Sequence, residues 1–221
     1  MIAKELINYM IPPLKPSDNV SKAQRWMDEM RLSELPVVKD GEFLGFINEQ
    51  LLFDDSVPSS EVGDYPLVGK ECFAIEANHY FEILKVSNEQ GFKMVAILDD
   101  VNQYQGVVST QDIVEAFARN ASVAVPGAIL GIRLKINDYS LSEISRIVEN
   151  NNAKILSSYI GPHALDPEDL MLTLKLNQEE VTYIKVSLEQ NGFVVESLFS
   201  SKESNNLELE RIDSLMNYLK I

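Results

Sequence analysis

The sequence repeats itself at a period of about 60 residues, the first copy opening near Pro13 and the second near Cys72. A repeat constrains a fold more than any single motif does. Each copy is one supersecondary unit that buries its apolar face only by packing on its neighbour. Both copies read in the same order. A short extended piece leads into a helix, then come an apolar strand, a turn, a return strand with a glycine, and a second helix.

In copy one, Val20, Ala23, Met27 and Met30 recur at helical spacing, and Ser17 or Asp18 is placed to cap that helix. Leu35-Pro36-Val37-Val38 reads as a strand, Asp40-Gly41 as a hairpin turn and Phe43 to Ile47 as the return strand. Leu51, Leu52 and Phe53 start a short helix that ends before Pro58. In copy two, Ile83, Leu84 and Val86 lie in the helix, and Met94 to Leu98 forms the strand. A longer polar turn, Asp99 to Gln103, leads to Gln105-Gly106-Val107-Val108, and Ile113, Val114, Phe117 and Ala118 line a final helix. Between the copies, Ser56 to Gly69 holds two prolines, two glycines and three serines, the composition of a linker.

After Ala121 the pattern changes. Ile132, Leu134 and Ile136 alternate with Arg133 and Lys135, a half-buried strand. Ser140 with Glu143 forms a capping box before a helix carrying Leu141, Ile144, Ile147 and Val148. Ala153 to Ile160 reads as a strand, 161–169 as a loop, and Leu170, Leu172, Leu174 and Leu176 as a third strand. Asn177 with Glu180 caps a helix through Val181, Ile184 and Leu188, Gly192 stops it, and Phe193 to Phe199 is the last strand. The order is βαββαβ, a ferredoxin-like arrangement. Residues 200–206 read as a linker, before an amphipathic helix with Leu209, Ile212, Leu215, Met216 and Leu219 on one face. The fold class is therefore α+β, a pair of repeats followed by a ferredoxin-like domain.

Composition narrows the partners. The 221 residues are 45% hydrophobic and carry a net charge of −15. That suffices for a sizeable core and argues against nucleic-acid binding through a basic patch. An anionic ligand would have to be held by local backbone amides. The one cysteine, Cys72, sits in an apolar run and reads as a buried small hydrophobe, which fits a reducing compartment. The opening MIAKELINYMIPP is too polar for a signal peptide, and no apolar run approaches the roughly 20 residues of a membrane helix. A soluble, cytoplasmic protein with no membrane partner is expected.

Two motifs carry a family resemblance. One is the strand Leu35-Pro36-Val37-Val38. The other is Gly106-Val107-Val108-Ser109-Thr110-Gln111-Asp112, which fits the pattern glycine, two apolar residues, Ser/Thr, two residues, Asp. The repeated unit resembles the CBS domain, named for cystathionine β-synthase. The likeness covers roughly residues 1–120, and residues 127–200 look like an ACT domain. Together they resemble small regulators of the acetoin-utilisation type. The resemblance implies a CBS pair over 1–121, with copy one about 1–56 and copy two about 70–121. An ACT-like domain over 127–200 and a linker with a C-terminal helix over 201–221 complete it.

Paired CBS units usually form clefts for adenosine-containing ligands, so the resemblance implies roles for copy two. Gly106 lets the backbone approach the ligand without a Cβ clash, and Val107 beside it is among the ligand-binding residues. Ser109, with Thr110, bonds phosphate where strand gives way to helix. Asp112 accepts the ribose hydroxyls, and Phe73, Ala74 and Ala96 flank the adenine. The resemblance implies AMP, ADP, ATP, S-adenosylmethionine or a dinucleotide as the ligand, without choosing among them, and no required cofactor. Read without the resemblance, Ser109 and Asp112 form a helix cap, which needs no ligand. Copy one departs from the pattern, with Asn48 for Ser/Thr and Leu51 for Asp, so at most one standard nucleotide site per chain is expected. The loop Asn137-Asp138-Tyr139-Ser140 lacks the glycine of amino-acid-binding ACT domains, which leaves dimerisation as the reading for that part.

No nucleophile elbow, phosphate loop or dinucleotide fingerprint is present, and an enzyme is not expected. His163 reads as a solvated loop histidine, His79 as the opening of a helix and Asp99-Asp100 as a solvated turn. Trp26 falls off the apolar stripe of its helix, which leaves it a partial core position or a dimer surface. The expected function is a regulatory, homodimeric ligand sensor acting on an unknown regulated protein. The alternative is a degenerate CBS/ACT dimerisation module with no small-molecule ligand.

Overall fold

The structure, a computed structural model, describes residues 1–52, 60–119 and 121–200. The chain divides into two compact α+β units, the first Met1–Ala118 and the second from Arg119 onward.

In the first unit, Leu14 bridges Val37 in parallel before the chain enters α1 (Val20–Met30). Asn19 caps α1, its side chain accepting from the Ser21 amide at 2.8 Å. The expected cap, Ser17 or Asp18, is not used, because Asp18 turns back to the Lys15 amide at 2.8 Å and to Lys22. Next come β1 (Glu34–Lys39) and β2 (Glu42–Asn48), an antiparallel pair, and α2 (Glu49–Leu52). Asp40 and Gly41 both have positive φ, 51° and 85°, the backbone of a two-residue hairpin turn. Copy two follows with β3 (Phe73–Ile75), α3 (Tyr80–Gln90), β4 (Met94–Leu98), β5 (Tyr104–Ser109) and α4 (Thr110–Ala118).

The copies match in strand register on either side of the turn, which is longer in copy two. Leu14 faces Val37 as Ala74 faces Ile97, and Glu34 faces Asn48 as Met94 faces Ser109. Each hairpin has its irregularity at the same place, after Val37↔Gly45 and after Ile97↔Gly106.

The segment preceding each copy packs on the other copy. The Ala3 amide donates to Asn78 and the Val62 amide to Asp18. Val68 exchanges two backbone bonds with Phe46 of β2, and Asn8 donates to Val107 of β5. Residues 60–69, expected as linker, are therefore bonded structure, with Val62 and Tyr65 buried. Proline and glycine do not prevent this, because the segment lies at a sheet edge. One continuous core unites the two copies. Phe53, placed by the sequence in the short helix, lies outside the described residues.

The second unit opens with α5 (Ala121–Ala124), then β6 (Ile129–Lys135), α6 (Leu141–Asn150), β7 (Ile155–Pro162), β8 (Asp169–Leu176), α7 (Thr182–Gln190) and β9 (Val194–Phe199). The sheet order is β7-β8-β6-β9 and every pairing is antiparallel, a ferredoxin-like βαββαβ topology. Ile144, Ile147 and Val148 of α6 and Ile184 and Leu188 of α7 form a second core with Leu130, Ile132, Leu134, Leu172, Leu174 and Leu176. Ser140 caps α6, accepting from the Glu143 amide at 3.4 Å, which is the Ser140 half of the expected capping box. Asn177 does not cap α7. It accepts from the Lys154 amide at 2.7 Å, and Glu180 takes the Thr182 amide instead. The helix expected over Leu209 to Leu219 lies outside the described residues.

Candidate functional site

The junction of β5 and α4 holds the residues singled out in copy two. Val107 and Val108 are fully buried, which anchors the end of the strand in the core. Ser109 and Asp112 form a reciprocal capping box. Asp112 Oδ2 accepts from the Ser109 amide at 2.8 Å and the Ser109 hydroxyl at 2.6 Å, while Ser109 Oγ accepts from the Asp112 amide at 3.1 Å. The Thr110 amide is taken by Lys93 O at 2.9 Å. These donors, expected to face a phosphate, are engaged within the junction itself.

The other oxygen of Asp112 faces elsewhere. Oδ1 accepts from Asn8 Nδ2 at 2.9 Å, and both side chains are half-buried. Asn8 Oδ1 accepts from the Met10 amide at 3.0 Å, which orients the carboxamide so that its NH2 points at Asp112. Beside it Ile7 covers Gly106. A Cβ on that glycine would lie 2.4 Å from Ile7 Cγ2, and its φ of 154° also suits glycine. In copy one Leu67 and Val68 lie over Gly45 in the same way, Asn48 caps α2 by accepting from the Leu51 amide at 2.9 Å, and Leu51 occupies the place of Asp112.

The structure thus brings Gly106, Val107, Ser109, Thr110 and Asp112 together, and adds Asn8 to them. It does not offer Ala74 or Ala96 to a ligand. Ala96 has no exposed surface and Ala74 only 5%, because both side chains are packed into the shared hydrophobic core. Phe73, opposite Ala96, is half-buried against the same core.

A second residue escaped the sequence reading. Glu34 is 9% exposed, and its carboxylate accepts from the Lys93 amide at 3.0 Å. Met94, next to Lys93, pairs with Ser109, so Glu34 sits at the same end of the hairpin as the cap. Burial pushes its pKa up, against backbone hydrogen bonds from Lys93 and Met94 and the Lys93 charge. An acid opening an apolar strand looks exposed in sequence. Asn8 could have been found by aligning the segment before copy one with the segment before copy two, where Ile7-Asn8 stands against Leu67-Val68.

Two cavities lie away from this junction. One, of about 780 Å³, is at the turn end of copy one, between Leu14, Lys15, Lys39, Asp40 and Asp64. The other, of about 660 Å³, belongs to the second unit and lies among Arg133, Tyr139, Ser140, Glu143, Asp169 and Val194. Arg133 spans three carboxylates there, Asp169, Asp166 at 3.1 Å and Glu196 at 3.5 Å. His163, expected in solvent, is only 8% exposed. Its Nδ1 accepts from the Leu165 and Asp166 amides, leaving Nε2 to meet Glu196 at 3.0 Å. Among the described residues, no three or more of His, Cys, Asp and Glu are placed to hold a metal ion, and no helix is long and apolar enough to cross a membrane.

No protein-family model matches the sequence, and no curated protein matches it. Solved structures do match. The chain is similar to CBS domain pairs. One is a CBS domain pair/ACT domain protein from Thermotoga maritima, 24% identical with a TM-score of 0.47, the match covering 53% of this chain and 96% of that one. Another is the CBS-pair protein CBSX2 of Arabidopsis thaliana, solved in complex with AMP, 16% identical with a TM-score of 0.47 over 53% of this chain and 96% of that one. A third comprises the CBS domains of a transcriptional regulator from Streptococcus pneumoniae, 18% identical with a TM-score of 0.46 over 52% and 98%.

Proposed function

We propose that the first unit is a CBS-type pair that binds one adenosine-containing ligand at the β5–α4 junction of copy two, and that the protein is a regulator with no catalytic role. The observation that carries this is Asp112. It is a half-buried carboxylate at the end of a glycine-apolar-apolar-Ser strand, with one oxygen committed to the cap and the other turned away from it. A carboxylate oxygen has lone pairs for more than one donor, so Oδ1 suits a ribose hydroxyl. The equivalent place in copy one holds Leu51, which cannot accept, so the reading is one site per chain. Calorimetric titration of AMP, ADP, ATP and S-adenosylmethionine into the wild type and Asp112→Ala is the test. One ligand at one per chain, lost in the variant, supports the reading. Silence with all four compounds sinks it.

A second reading, an interaction module in a homodimer, is favoured by a different observation. Phe81 on α3 and Val114 and Phe117 on α4 are 62%, 65% and 44% exposed, and the two helices are neighbours. Exposed apolar side chains on adjacent helices suit a protein partner. Light scattering of the wild type beside Val114→Asp decides between a monomer and an assembly held by this face.

A further inference from the structure

The two copies are an internal control on each other. Asn8 and Val68 hold equivalent places, because each pairs through its backbone with the residue that follows the strand glycine, Val107 in one case and Phe46 in the other. Asp112 and Leu51 are equivalent as well, each three residues after the residue that caps its helix. Copy one has an apolar residue at both places and copy two a polar one at both. The fold is therefore built without a hydrogen bond at this position. In copy two a carboxylate and a carboxamide are placed there instead, and their bond closes over the oxygen that the proposed ligand requires.

Resting on the nucleotide reading above, we infer that Asn8 is a positioning residue of that site: its carboxamide holds Asp112 Oδ1 in the ligand-free protein and yields that oxygen to a ribose diol. Asn8 belongs to the segment that crosses from before copy one onto copy two. The Ala3 and Lys4 amides donate to Asn78 and Glu76, and Lys4 Nζ meets Glu76 at 3.0 Å. Handing Asp112 over releases only the last side-chain tie of this segment and leaves its backbone bonds in place. The ligand class follows from the chemistry. The group that displaces a carboxamide NH2 from a carboxylate must itself donate, and a vicinal diol carries two hydroxyl donors on adjacent carbons.

The test uses the whole chain with AMP as the probe, by calorimetry and by the side-chain amide signal of Asn8 in nitrogen-15 NMR. Asn8→Val copies the residue that copy one carries at the same place, so the backbone pairing is kept. It is expected to bind AMP about tenfold more tightly than wild type, since the ligand no longer competes with a charge-assisted hydrogen bond. In the wild type the Asn8 amide signal is expected to move on adding AMP, a readout that needs no variant to fold. A residue that only braced the fold would lower both melting temperature and affinity on replacement. Affinity that is unchanged or weaker in Asn8→Val, or an Asn8 signal that stays put while the wild type binds, overturns the inference and leaves the nucleotide reading standing. A wild type that binds no adenosine compound overturns the nucleotide reading itself.

Discussion

Single residues at the seam between the two copies hold the least settled chemistry of the first unit. Tyr104 and Phe43 are equivalent positions whose rings stack with centroids 6.3 Å apart, but the Tyr104 hydroxyl is buried with no hydrogen-bond partner among the described residues, and burial drives its pKa upward. An unpartnered buried hydroxyl costs more than it returns. Tyr104→Phe should therefore stabilise the protein by about 1 kcal/mol, read as a higher midpoint in urea. Glu34 is the opposite case, a partnered but desolvated acid. Its folded pKa lies above the 4.5 of an ordinary glutamate, chiefly through burial. The folded state therefore holds the extra proton, and stability falls as pH rises through the window that opens at about 4.5. Glu34→Gln keeps an acceptor for the Lys93 amide and removes the charge. It should flatten that fall, so that melts at pH 5 and pH 8 differ less than in wild type. Equal pH slopes in the two proteins would contradict this account.

At the scale of elements, strands and turns followed local pattern closely and helix caps did not. Asp40-Gly41 makes the hairpin turn that its residues favour, and Leu172, Leu174 and Leu176 of β8, spaced two residues apart, all point into the core. Caps were misplaced where several small polar residues competed. Ser17, Asp18 and Asn19 all qualify in sequence, and the choice fell to Asn19 because Asp18 is drawn to Lys22 at 2.8 Å. Asn19→Ala should accordingly cost about 1 kcal/mol, whereas Ser17→Ala should cost little. Urea melts of the two variants check this, and the reverse ranking would place the cap where the sequence reading had it. Asn177 shows the same competition, since its carbonyl was claimed by the Lys154 amide rather than by α7.

At the scale of the molecule, the shared core of the two copies encloses Cys72, which has no exposed surface. Burial, then the Glu34 charge, pushes its thiol up to about 12. Only the thiolate reacts, so a thiol reagent at pH 8 should label Cys72 no faster than the first unit opens, and rapidly in urea. Labelling within mixing time in the folded protein would show that the seam between the copies breathes. What the amino-acid sequence determined by itself is whatever rests on neighbours along the chain: the repeat, the order of strands and helices, the Ser109–Asp112 spacing and the loss of that acid at Leu51. These follow from periodicity and from contacts within a turn or two, which local residue types encode. Tertiary structure alone decided the exchange of lead segments between the copies, the burial of Glu34, His163, Ala74 and Ala96, and the meeting of Asn8 with Asp112. Each of these joins residues far apart in sequence, and such pairings arise only when the closure of the core brings distant segments within hydrogen-bond range.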